Sequence, residues 1–165
     1  MIDGPRIAWR DSTPYVAIRA YVTMATIGAD LPDLTPEVMA WLDVRGATAS
    51  GAPIFKYNVI DMLGELEVEV GIPVLSAPEA DERIITGVVP AGNFVVARHK
   101  GHPRKLEDAT AQLLEWGRLR ALRWNLTHDD GIERWTARIE TYFSNSYDQP
   151  DMDQWETEVA ILLAD

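Results

Sequence analysis

Within residues 134–147, RWTARIETYFSNSY, a glutamate and a tyrosine stand two positions apart. Read with the two-residue period of a strand, Trp135, Ala137, Ile139, Thr141 and Phe143 fall on one face, and Thr136, Arg138, Glu140 and Tyr142 on the other. On an ordinary strand such a face meets water, because acidic side chains are mostly exposed. Withdrawn from water beside a phenol, the Glu140 carboxylate can instead pair with a cation, accept hydrogen bonds, or take and return a proton. The elements that carry the pair decide between these outcomes.

Few other residues offer chemistry. The chain has no cysteine, which removes disulfides, thiolate metal sites and thiol nucleophiles. Its three histidines, His99, His102 and His128, lack metal-ligand spacing. Ser12, Ser50, Ser76, Ser144 and Ser146 have no recognisable base near them in sequence. Walker and dinucleotide glycine loops, the HExxH pair and the nucleophile-elbow pattern are absent. No metal and no cofactor is expected.

With 165 residues and 47% hydrophobic content, the chain suits one domain spanning 1–165 with a sizeable core. A formal net charge of -11 argues against a broad phosphate-binding surface, so direct nucleic-acid binding is not expected and partners are cationic or neutral. The opening MIDGPRIAWRDS lacks a secretory signal pattern, and no stretch approaches the roughly 18 apolar residues of a membrane span. A soluble cytoplasmic protein is the expectation.

Residues 14–23 alternate Val16, Ile18, Ala20 and Val22 against Tyr15, Ala17, Arg19 and Tyr21, the pattern of a strand. Residues 34–47, LTPEVMAWLDVRGA, predict a helix with Thr35 as its cap, Pro36 at its first position and Val38, Trp41 and Leu42 on one stripe. Residues 52–60 and 65–74 predict a hairpin, the second strand setting Leu66, Val68, Val70 and Ile72 against Glu65, Glu67 and Glu69. After a connector at 75–83 the order recurs. Residues 84–89 and 93–100 are extended, residues 103–122 predict a long helix with Leu106, Ala109, Leu113 and Trp116 on one stripe, and the Glu140 strand and a closing strand at 156–164 follow.

The expected fold is therefore α+β: two strand-helix-strand-strand repeats, about 12–75 and 83–165, forming a curved antiparallel sheet with helices on one face. The other face would carry Tyr15, Arg19, Tyr21, Glu67, Arg138, Glu140 and Tyr142. An aromatic-rich face at the junction of two halves is a platform for a ligand groove, where each ring adds roughly 0.5–2 kcal/mol of attraction for a cation.

Three stretches together resemble the GyrI-like family of small-molecule-binding domains, found also as effector-binding modules of bacterial transcription activators. They are GAPIFKYN at 51–58 with GELEVEVGIPV at 64–74, PAGNFVVARHKGHPRKLEDATAQLLEW at 90–116, and IETYFSNSYDQPDMDQWETEVAILL at 139–163. The resemblance covers almost the whole chain in order and implies two strand-helix-strand-strand units about a pseudo-twofold, with a hydrophobic groove between them. It implies that Glu140 is the groove's central acid, with Tyr142 at the second position of its Glu-Xaa-Tyr motif. Tyr57 and Trp116 match recurrent aromatic positions, although Trp116 fits a core position on its helix equally well. Phe55 and Tyr15 complete the candidate lining. No helix-turn-helix pattern precedes the domain, so a module standing alone is expected, and Trp124 and Trp135 have no place in the family pattern.

Three functions follow from this resemblance. The first is binding of a lipophilic, cationic or polycyclic compound, in multidrug fashion. The second is hydrolysis of a cyclopropane-containing or similar electrophilic natural product, with Glu140 and Tyr142 as catalytic residues. The third is a gyrase-inhibitor-like interaction with a protein partner through Glu65, Glu67 and Glu69.

Overall fold

The computed structural model describes residues 2–165. In chain order the elements are β1 (Ile2–Arg10), β2 (Thr13–Val22), the single turn α1 (Ile27–Asp30), α2 (Leu34–Val44), β3 (Ile54–Ile60), β4 (Leu66–Pro73), β5 (Ile85–Val89), β6 (Gly92–Lys100), α3 (Leu106–Leu119), β7 (Leu126–Asp129), β8 (Ile132–Trp135), β9 (Arg138–Tyr142) and β10 (Glu156–Leu162). The main sheet runs β1-β6-β10-β9-β3-β4-β2-β5, and the β7–β8 hairpin joins it through β8 and β3. Neighbouring strands are antiparallel throughout. The class is α+β, built on a curved sheet.

Strict alternation in β4 settles which side the helices cover. Leu66, Val68, Val70 and Ile72 are buried, and register carries the same face outward through Ile18 on β2 and through Phe55 on β3 to Glu140 on β9. On that face α2 lies against β2 and β4, with Val38 and Leu42 packed on Val16, Ile18 and Ile72. At the far end α3 lies against β1 and β6, its Leu106 and Leu113 joining Val95, Ala97, Val159 and Ile161. Between the two helices run β10, β9 and β3.

Among the described residues no helix packs on the opposite face, yet Tyr15, Ala17, Ile54, Phe94, Val96, Ala137, Ile139, Ala160 and Leu162 form one buried cluster there. They come from strands on both sides of the sheet, so curvature brings its ends together over a shared core. At about 1.5–3 kcal/mol for each large apolar side chain removed from water, this helix-free core adds to the larger helix-covered one.

The structure corrects several expectations. Glu140 and Tyr142 do not share a face with Tyr15, Arg19, Tyr21 and Glu67; they lie on the helix-bearing face, so a groove containing Glu140 falls between the helices rather than opposite them. Register fixes this, since Phe55 faces both Glu140 and Val70 whereas Tyr21 faces Glu67. Residues 134–147 are not one strand. Trp135 pairs with Leu126 of β7, Arg138 pairs with Ile161 of β10, and Thr136 between them bonds Asn125 instead. Beyond Phe143, whose amide still donates to Glu156 O, the chain leaves the ladder and Asn145 Oδ1 accepts the amides of Tyr147 and Asp148, closing a side-chain turn. The helix expected over 103–122 is α3, preceded by a 3-10 turn at Pro103–Lys105. The hairpin expected at 52–60 and 65–74 is present as β3–β4.

Candidate functional site

β9 carries Glu140 and Tyr142 on alternate positions, and β3 carries Phe55 and Tyr57 on the same face beside them. The hydroxyls of Tyr57 and Tyr142 both donate to Glu140 Oε1, at 2.8 Å and 2.5 Å. Glu140 Oε2 receives no hydrogen bond among the described residues. Phe55 stands directly across from Glu140, and its ring meets that of Tyr142 with centroids 4.7 Å apart. Glu140 is only 8% exposed.

Burial pushes the Glu140 carboxyl above its ordinary range, opposed by the hydrogen bonds from Tyr142 and Tyr57 and by the charge of Arg138. The Tyr57 and Tyr142 phenols are pushed well up, first by burial and then by the neighbouring Glu140 charge. They therefore keep their protons and remain donors across the working range of pH. Arg138, on the same face two residues before Glu140, has its guanidinium 4.8 Å over the ring of Trp135, and burial lowers its pKa against the pull of Glu133 and Glu140. The assembly is a largely buried carboxylate with one oxygen fixed by two phenols and the other free to accept, walled by apolar rings. It can hold a cation or a strong donor, or exchange a proton.

Phe55, Tyr57, Glu140 and Tyr142 are thus brought together. Tyr15 is not among them: 4% exposed on the opposite face, its hydroxyl donates to Glu69 Oε1 at 2.8 Å, and burial with the Glu69 charge raises its pKa. Lys56 joins that network 3.5 Å from Glu69 Oε2, and Asn58 bonds both Glu69 and Glu67. Trp116, on α3, packs against the same core cluster as Phe55, Tyr57 and Tyr142. It lines a shallow depression of about 580 Å³ with Ile2, Pro5, Gln112 and Leu119, on the side of α3 that faces β1, and Arg120 lies 4.0 Å over its ring. A second depression, about 330 Å³, lies beside α2 and includes Trp41 and Arg83. Neither contains Glu140.

Two residues beside the site had no assigned part in the sequence reading. Arg138 was placed on the Glu140 face by parity alone, and Trp135 supports its guanidinium. Trp124 is structural: it packs against Gly117 of α3, where an added Cβ would come 2.3 Å from its ring. Among the described residues no group of three or more His, Asp or Glu could hold a metal ion, and no helix is long and apolar enough to cross a membrane.

The sequence model of the GyrI-like small molecule binding domain matches residues 4–164. The chain belongs to that family. No curated protein matches it by sequence. Among solved structures, this GyrI-like domain is similar to the EcmrR C-terminal domain, with TM-score 0.77 and 18% identity over 98% of this chain and 97% of that one. It is similar also to EcmrR in an EcmrR–DNA complex, with TM-score 0.75 and 19% identity over 97% of this chain, which spans 57% of that longer chain. SAV2435 bound to tetraphenylphosphonium gives TM-score 0.66 at 9% identity over 98% of this chain and 94% of that one. A hydrolase from Listeria innocua gives 0.64 at 11% identity, over 97% and 91%. At these identities the likeness is one of fold.

Proposed function

We propose that this GyrI-like domain binds a lipophilic small molecule carrying a cationic or strongly hydrogen-bond-donating group, with Glu140 as the acid that receives it. The observation that carries this reading is the Glu140 carboxylate, withdrawn from water, with Oε1 held by Tyr57 and Tyr142 and Oε2 without a donor among the described residues. A buried charge with an unused oxygen is costly unless something pairs with it. Phe55, Tyr57 and Tyr142 supply ring surface around that oxygen. The site lies on β9 and β3, between the strands against which α2 and α3 pack, and with Glu140 8% exposed a ligand reaches it only as neighbouring side chains give way. The ligand of SAV2435, tetraphenylphosphonium, is a lipophilic cation and supports this class of compound.

The chain reads as two related units meeting at β9 and β3. In each, counting outward from the junction, a hairpin is followed by the strand that precedes the helix: β3, β4, β2 in one and β9, β10, β6 in the other. The outermost strands are exchanged, β5 pairing with β2 and β1 with β6. On this reading Glu140 and Tyr57 reach one another across the pseudo-twofold.

Tryptophan fluorescence titrated with tetraphenylphosphonium tests the proposal. Saturable quenching is expected in the wild type. Glu140→Gln should weaken it about 30-fold or more, the usual consequence of removing one partner of a buried charge pair. Equal affinity in both proteins would remove Glu140 from the role.

A second reading is favoured by the same raised carboxyl: hydrolysis of an electrophilic substrate, with Glu140 activating water and a phenol of Tyr142 hydrogen-bonding the developing negative charge. Product formation from a strained cyclopropane substrate, lost in Glu140→Gln while the fold persists, would establish it; stoichiometric binding without product counts against it. The protein-partner reading has less support. Glu69 is buried and Glu67 is engaged by Asn58, Tyr21 and Arg19, so of the three acids only Glu65 lacks such partners among the described residues.

A further inference from the structure

We infer that Arg138 is a second recognition point beside Glu140, so that the preferred ligand is a zwitterionic aromatic compound whose anionic group meets the guanidinium while its cationic or donor group meets Glu140 Oε2. This rests on the reading of Glu140 as the acid that receives the ligand.

Arg138 and Glu140 sit two residues apart on one face of β9, a spacing of about 7 Å that a small aromatic molecule can bridge. The Arg138 side chain is 18% exposed, and its nearest acid, Glu133 Oε1, is 3.8 Å away, beyond hydrogen-bond reach. That oxygen already accepts from Trp135 Nε1 at 3.1 Å. The Arg138 side chain makes no hydrogen bond among the described residues, whereas Arg10 meets Glu158 at 2.7 Å and Arg118 meets Glu115 at 2.6 Å. A guanidinium so far withdrawn from water ordinarily uses its planar fork of donors on a carboxylate or phosphate. The Trp135 ring lies 4.8 Å from its guanidinium carbon and provides no hydrogen-bond acceptor for its N–H groups.

Charge points the same way. With Glu133 beside Arg138 the three groups sum to a charge of -1, which admits a cation at Glu140, and a zwitterion adds an anionic group for the Arg138 fork. The two positions differ in what they discriminate: Glu140 sets affinity for the cationic end, and Arg138 sets the preference for a ligand that also carries an anion.

The test compares rhodamine B, a zwitterion, with its ethyl ester, which keeps the ring system and loses the carboxylate. Binding of each dye is measured by fluorescence anisotropy to wild type, Arg138→Gln, Arg138→Lys and Glu140→Gln. The wild type should prefer rhodamine B by about ten-fold or more, the worth of a charge-assisted hydrogen bond. Arg138→Gln should lose that preference while binding the ester at least as well as before, which also certifies its fold; Arg138→Lys should keep part of it. Glu140→Gln should weaken both dyes. If the wild type binds the ester as tightly as rhodamine B, or Arg138→Gln keeps the preference, the inference is overturned while ester binding that depends on Glu140 leaves the ligand-binding reading standing. Saturable binding of neither dye overturns both.

Discussion

Glu140 is a carboxylate that pays for its burial, and its replacement should show this. Because the folded chain holds the Glu140 proton more tightly than an unfolded one, whose glutamates titrate near 4.3, the folded state loses stability as pH rises from that value through the raised folded pKa. Glu140→Gln removes the penalty, since a neutral amide oxygen still accepts from Tyr57 and Tyr142. Its melting temperature at pH 7 to 8, roughly the working range, should equal or exceed that of the wild type, and the stability difference should vanish in acid; a variant markedly less stable at neutral pH contradicts the raised pKa. Ligand binding has the opposite slope. Affinity for a lipophilic cation is full above the folded pKa and is lost as pH falls through it, at a higher pH than an exposed glutamate would give. Tyr57→Phe withdraws one hydrogen bond from the carboxylate, so the midpoint of that binding profile should move up. An unmoved midpoint would mean the Tyr57 hydroxyl does not hold Glu140.

Elements succeed or fail here on close contacts. Gly117 lets α3 seat against Trp124, and Gly117→Ala should cost about 1–3 kcal/mol in denaturant unfolding. Combined with Trp124→Leu, which opens the space, the losses should be less than additive. Full additivity would show that the two residues do not touch. Sequence periodicity found α2, α3 and the β3–β4 hairpin because each has one clean apolar stripe. It overlooked β1, where Gly4 and Pro5 interrupt the alternation and the register with β6 shifts between Asp3 and Arg6. It also passed over β7–β8, although Asp130 and Gly131, both at positive φ, are the turn residues of a tight hairpin. The break after Trp135 was hidden because alternation continues through it while the pairing partner changes.

At the scale of the molecule, parity along a single strand says which residues share a face, and only register between strands says which faces coincide. That is why Glu140, Tyr142, Phe55 and Tyr57 were legible as candidates, while Tyr15 was assigned to the wrong side and Trp116 lies by β1. The curvature was equally invisible: Tyr15 reads as part of an open ligand-binding face, yet with Ala17 it belongs to a core that no helix among the described residues covers. Phe94, 1% exposed on that face, should cost about 3–5 kcal/mol as Phe94→Ala, comparable with about 2–5 for Leu113→Ala beneath α3. A loss under about 1 kcal/mol for Phe94→Ala would mean the helix-free face is no true core.

The location of the ligand site is read most directly by fluorine NMR on protein labelled with fluorotyrosine, since the chain has five tyrosines, at 15, 21, 57, 142 and 147. Titration with tetraphenylphosphonium should move the resonances of Tyr57 and Tyr142 together, saturably, and leave those of Tyr15 and Tyr147 in place. Saturable shifts confined to Tyr15 and Tyr21, with Tyr57 and Tyr142 unmoved, would put the ligand on the opposite face and contradict a site at Glu140.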